Sequence, residues 1–99
     1  MQKQVRTIHF KADRDLLKFI DEKLDKLTLF SQGITTCEVY LKLEKEVNHE
    51  NKLVEIKLHV PGKELFAKKH SASFEDATNH ALEALKKQLI KEKERGLDG

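Results

Sequence analysis

Between Ser73 and Arg95 the chain reads SFEDATNHALEALKKQLIKEKER, and Phe74, Ala77, Thr78, Ala81, Leu82, Leu85 and Leu89 recur along it at helical spacing. At about 100° per residue these side chains form one apolar stripe, and such a stripe must be laid against another apolar surface. Ser73 stands where its hydroxyl can cap the first turn, with Asp76 at the reciprocal capping-box position. Charge is sorted along the same stretch. Glu75, Asp76 and Glu83 lie in its first half, and Lys86, Lys87, Lys91, Lys93 and Arg95 in its second. The helix macrodipole accounts for that order without any ligand. It does not account for the rows. Lys87, Lys91 and Arg95 follow one another at i, i+4 and i+8 on one flank of the stripe, while Lys86 and Lys93 mark the other flank.

The rest of the chain supplies the surface that this helix needs. Residues 5–10, VRTIHF, read as a strand with Ile8, Phe10 and then Ala12 turned to one face and Thr7 and His9 to the other. Asp13 is placed as an N-cap for a first helix over residues 14–30, whose stripe is Leu16, Phe19, Ile20, Leu24, Leu27 and Phe30. Its outer face carries mixed charge, with Lys23 at the edge of the stripe, and Gly33 is read as the helix stop. From Ile34 the period falls to two. Val39, Leu41 and Leu43 alternate with Glu38, Tyr40, Lys42 and Glu44, and Val54, Ile56, Leu58 and Val60 with Glu55, Lys57 and His59. Each is a strand with one wet face, joined by a polar loop at 45–51. Pro61-Gly62 makes the next turn, and a short strand over residues 64–70 leads to Ser73. Two single-striped helices and four single-faced strands predict an α+β two-layer sandwich, β-α-β-β-β-α. Its four-stranded mixed sheet carries both helices on one face. One domain over residues 1–99 is expected.

Catalytic and metal chemistry finds no foothold. The five histidines show no helical pairing with one another or with Cys, and no glycine-rich phosphate loop or nucleophile elbow is present. A lone Cys37 allows no internal disulfide and reads as a small core or edge residue. No enzyme, cofactor, metal site or small-molecule substrate is expected. The N-terminus MQKQVRTIHF lacks the apolar centre of a secretory signal, and no apolar run is long enough for a bilayer; a cytoplasmic, membrane-free protein is expected.

Net charge is only +2, so a polyanion partner has to be argued from where the charge lies. Among the basic residues only Arg6, Arg14 and Arg95 are Arg, and lysine is suited to phosphate more than to base edges. The wet sheet face offers Glu38, Glu44 and Glu55 with Tyr40 as its aromatic, which would repel phosphate. The positive candidates are Lys68 and Lys69 in the fourth strand, Lys3, Arg6 and Lys11 around the first, and the lysines of both helices. Helices lying side by side would allow Lys23 and Lys26 to join Lys87 and Lys91.

The succession IHF, Ala12-Asp13, Phe19-Ile20, Lys23, Lys26-Leu27, Phe30, EVYLKLEK, VPGKELFAKK and SFEDATNHALEALKKQL resembles the ribosome hibernation-promoting factors. These are also labelled sigma-54 modulation proteins or ribosome-associated inhibitors. The resemblance covers nearly the whole chain, and its end at Gly99 is similar to the short form. It implies a fold like a double-stranded RNA-binding domain with an added strand. It implies binding to small-subunit ribosomal RNA near the decoding centre, obstruction of messenger and transfer RNA sites, and idle ribosomes in starvation or stationary phase. By position it assigns contact to Lys23, Lys26, Lys87 and Lys91, extended by Arg95; Lys86, Lys68 and Lys69 complete the candidate set. The chain departs from the family pattern at Ser73 and Glu75, where aspartate and tyrosine are usual, and at Ala84 and Leu29, where lysines are. A protein-interaction module on the same scaffold, without ribosome binding, is the alternative that near-neutral charge and those absent lysines keep open.

Overall fold

A computed structural model describes residues 1–31, 33–45 and 49–98. The centre of the expected loop, residues 46–48, lies outside them, as do Gln32 and Gly99. The elements are β1 (Gln2–Ile8), α1 (Arg14–Asp25) with a 3-10 turn (Lys26–Leu29), β2 (Thr36–Leu43), β3 (Lys52–Val60), β4 (Lys63–Ser71) and α2 (Phe74–Asp98). The sheet order is β1-β2-β3-β4, with β1 parallel to β2 and the other pairs antiparallel. Val39, Leu41, Val54, Ile56 and Leu58 share one core with Ile20 and Leu24 of α1 and Ala77, Ala81, Leu85 and Leu89 of α2. Both helices therefore cover the same sheet face, and the other face is open. This is the expected two-layer sandwich.

Period-two patterning put β1 in the wrong phase. Val5 is partnered by Val39 and packs against the core, whereas Ile8 is partnered by Lys42 and lies on the open face, 38% exposed. The strand also stops at Ile8, because His9 adopts φ 69°, a left-handed conformation that breaks the alternation. Phe10 is thereby returned to the core side, where its ring stacks on that of Phe74 at 4.6 Å between centroids. Lys3, on the helix-facing side of β1, bridges to α1 with its Nζ 2.7 Å from Asp21 and 2.6 Å from Asp25.

Asp13 caps α1 as expected, its carboxylate accepting the Leu16 N–H at 2.8 Å. The α-helix does not reach residue 30. Thr28 Oγ1 donates to the Asp25 carbonyl at 2.7 Å, the oxygen that the Leu29 N–H would take in a further α-turn, and the chain tightens into the 3-10 turn. Gly33 is not the helix stop. The helical turn has already ended at Leu29, and an added Cβ at Gly33 would meet Pro61 Cδ at 3.2 Å. Gly62, at φ 75°, closes the two-residue turn between Val60 and Lys63.

At α2 the Asp76 N–H donates to Ser73 Oγ at 3.1 Å. The capping box is open on its other side, since the Asp76 carboxylate accepts the Ser71 hydroxyl at 3.2 Å. Thr78, buried in the stripe, donates its hydroxyl to the Phe74 carbonyl at 2.7 Å and so brings no unpaired group into the core.

Candidate nucleic-acid interface

The two lysine rows of α2 look in different directions. Gln88 donates its side-chain amide to the Phe66 carbonyl at 2.9 Å, which turns that flank of the helix toward the edge strand β4. Lys87 lies on this flank, and Lys91 follows one turn later. Lys69, on the helix-facing side of β4 opposite Val54, lines a shallow groove of about 360 Å³ with Lys87 and His80. On the opposite flank Lys86 extends its Nζ over the Phe30 ring, 4.7 Å from its centroid, just after the 3-10 turn. Lys93 lies beside that turn as well. The structure thus places Lys69 with Lys87 on the β4 flank and Lys86 with Lys93 on the α1 flank. Lys23 and Lys26 lie on α1 and its 3-10 turn, on the side of Lys86 and Lys93, and Lys87 lies on the β4 flank.

Besides Lys86 over Phe30, three candidates have partners of their own. Arg95 donates to Glu92 at 3.2 Å, and the same carboxylate takes Lys63 Nζ at 2.6 Å. The Lys63 hydrogen bond, against an opposing desolvation, holds the Glu92 carboxyl below its ordinary range. Lys23 Nζ lies 5.4 Å from the Phe19 ring centroid, while Lys26 is exposed on the 3-10 turn. Lys68, next to Lys69 in sequence, is on the opposite face of the sheet, 3.8 Å from Glu55. Among the described residues no ion pair involves Lys87 or Lys91.

Each glutamate of the open face has a side-chain partner, two of them lysines and two histidines. Glu38 meets His59 at 3.1 Å, Glu64 meets Lys57 at 3.4 Å and Glu44 meets His70 at 3.3 Å, in addition to the Glu55–Lys68 pair. Between them Ile8, Tyr40, Leu53 and Phe66 border a groove of about 200 Å³, with Phe66 47% exposed. Sequence reasoning missed Leu53 and Phe66. Their signal was present: adjacent apolar residues, Leu53-Val54 and Leu65-Phe66-Ala67, cannot all face one side of a strand.

Burial pushes the Cys37 thiol up to about 12, as an inert core residue requires. Among the described residues no three His, Cys, Asp or Glu side chains converge as a metal site, and no helix is long and apolar enough to cross a membrane.

Residues 4–96 match the family described as sigma 54 modulation protein / S30EA ribosomal protein. The chain belongs to this family. A ribosome hibernation promotion factor of Deinococcus radiodurans is 34% identical over 79 residues, which are 79% of this chain and 41% of that protein. The chain thus matches about two-fifths of the length of that curated relative. Among solved structures, a ribosomal subunit interface protein from Coxiella burnetii superposes with a TM-score of 0.82 at 19% identity, covering 94% of this chain and 98% of the other. The Protein Y N-terminal domain of Thermus thermophilus gives a TM-score of 0.79 at 18% identity, over 92% and 98% of the two chains. At such identities the likeness is one of fold, and it is the fold described above. The names that the family and the Deinococcus relative carry are those of ribosome-associated, non-enzymatic factors.

Proposed function

We propose that this protein binds the small ribosomal subunit through its ribosomal RNA, occupies the decoding region and keeps ribosomes inactive under stress or in stationary phase. The match of residues 4–96 to the S30EA family carries this reading. The lysines on the two flanks of α2 supply a physical means. Ammonium groups on a rigid helix neutralise phosphates and release their counterions, which gives affinity without base readout. Specificity then rests on the shape of the ribosomal site, and inhibition on steric occlusion, so no cofactor is required. Lys87, Lys91, Lys69, Lys86 and Lys26 are the contacts favoured by their exposure. Lys23 stands at the margin over Phe19, Arg95 shares Glu92 with Lys63, and Lys68 is turned away.

Sedimentation of stationary-phase lysate at low salt tests the reading, together with inhibition of a purified translation system. Comigration with 30S or 70S particles and inhibition relieved by raised salt are expected. Absence from every ribosome fraction, with translation unaffected, would favour a protein-interaction module on this scaffold.

A further inference from the structure

Leu29 is 79% exposed, far more than any other large apolar side chain among the described residues. It closes the 3-10 turn, in which side chains three apart eclipse one another, so Leu29 stands over Lys26 on the same outward face. Phe30, the next residue, is half-buried and holds Lys86 over its ring. Between the turn, the β3–β4 hairpin and α2 lies a groove of about 540 Å³, walled by Leu29, Phe30, Val60, Pro61 and Leu89, with Lys93 at its rim. Glu92 also borders it, but its carboxylate already accepts from Lys63 and Arg95.

A groove walled by Leu29, Phe30 and Pro61, with Lys93 on it, Lys86 over the Phe30 ring and Lys26 three residues before Leu29, has the chemistry of a nucleotide site: apolar side chains for the base and cations nearby for the phosphates. We infer that Leu29 and this groove receive an unstacked nucleobase of the small-subunit RNA, and that Leu29 is a specificity-determining contact. The inference rests on the function proposed above. It adds what lysines cannot supply. Point charges bind any phosphate backbone, whereas a base reaches an apolar seat only where the RNA is single-stranded or its bases are splayed out. A protein segment in the same groove would have to be both apolar and acidic to satisfy the lysines.

Affinity for purified small subunits, measured across a salt series, separates these terms. Leu29→Ala should weaken binding on the order of tenfold, the scale for losing burial of a Leu side chain, and leave the salt slope unchanged. Leu29→Met, which keeps the apolar contact, should bind within about twofold of the parent. A benzoylphenylalanine photocrosslinker at position 29 should yield an adduct mapping to RNA. Parental affinity for Leu29→Ala, or an adduct only in ribosomal protein, would overturn the inference and leave the proposed function standing. A parent protein that does not bind subunits would remove both.

Discussion

Leu85 and Lys87 are two residues apart and have opposite surroundings. Leu85 is fully buried in the core that contains Leu41 and Ile56, while Lys87 is exposed on the β4 flank. Leu85→Ala should cost about 2–5 kcal/mol, since it leaves a cavity that a two-layer sheet–helix packing cannot collapse to fill. Lys87→Ala should shift stability by less than about 0.5 kcal/mol. Chemical denaturation midpoints of the two variants check both values. Cys37 offers a second residue-scale test. With its thiol held neutral and fully buried, a thiol-specific reagent should fail to label the native protein at neutral pH and label it fully after denaturation. Rapid native labelling would mean that the β2 end of the core opens easily. Individual candidates in the site were legible to different degrees. Lys87 followed from helical spacing alone, but Lys68 and Lys69 are neighbours in a lysine pair, and only the register against Glu55 and Val54 tells which one faces α2.

Elements were legible where one periodicity ran uninterrupted and illegible where a single residue broke it. The α2 stripe and the alternation of β2 and β3 survive intact because each has one buried face. β1 fails at His9, whose left-handed backbone reverses the faces, and α1 ends early at Thr28, whose hydroxyl takes the carbonyl that the next turn needs. Neither event leaves a periodic signature. Long-range ties between elements were equally invisible, and one of them predicts a pH response. Glu92 joins the β4 start to α2 through Lys63, with Arg95 of its own helix on the same carboxylate, and its carboxyl is held below the ordinary 4.5. A lowered folded-state value means that the tie stabilises the fold above the ordinary pKa and is lost as pH falls through the lowered one. Amide protection near Lys63 and at the end of α2, taken relative to the slower intrinsic exchange in acid, should therefore fall on acidification below 4.5 in the parent. Glu92→Gln should exchange faster already at neutral pH and respond less to acid. Identical profiles for the two proteins would assign no stabilising role to this carboxylate.

At the scale of the whole molecule, the sandwich has a covered face whose helices carry exposed lysines and an open face on which Glu55 and Glu64 pair with lysines and Glu38 and Glu44 meet histidines. That asymmetry should govern how binding depends on salt. Lys87 and Lys91 lie on the α2 flank, and replacing both by Gln should leave the fold intact and flatten the slope of log affinity against log salt. If each lysine neutralises one phosphate, the change should be about 1.4–1.8 in the slope. Lys69→Gln should flatten it by roughly half as much, because Lys69 shares the groove of Lys87. Lys68→Gln should change neither affinity nor slope beyond the small effect of releasing Glu55, since its ammonium group is on the far side of the sheet. Lys68 and Lys69 have the same charge and adjacent positions, so net charge, composition and general polyanion attraction predict equal effects from the two substitutions. Only a binding surface made by α2 and the helix-facing side of β4 predicts a difference. Equal losses would mean that the protein is held by its overall field, and a larger loss at Lys68 would turn the open face toward the RNA.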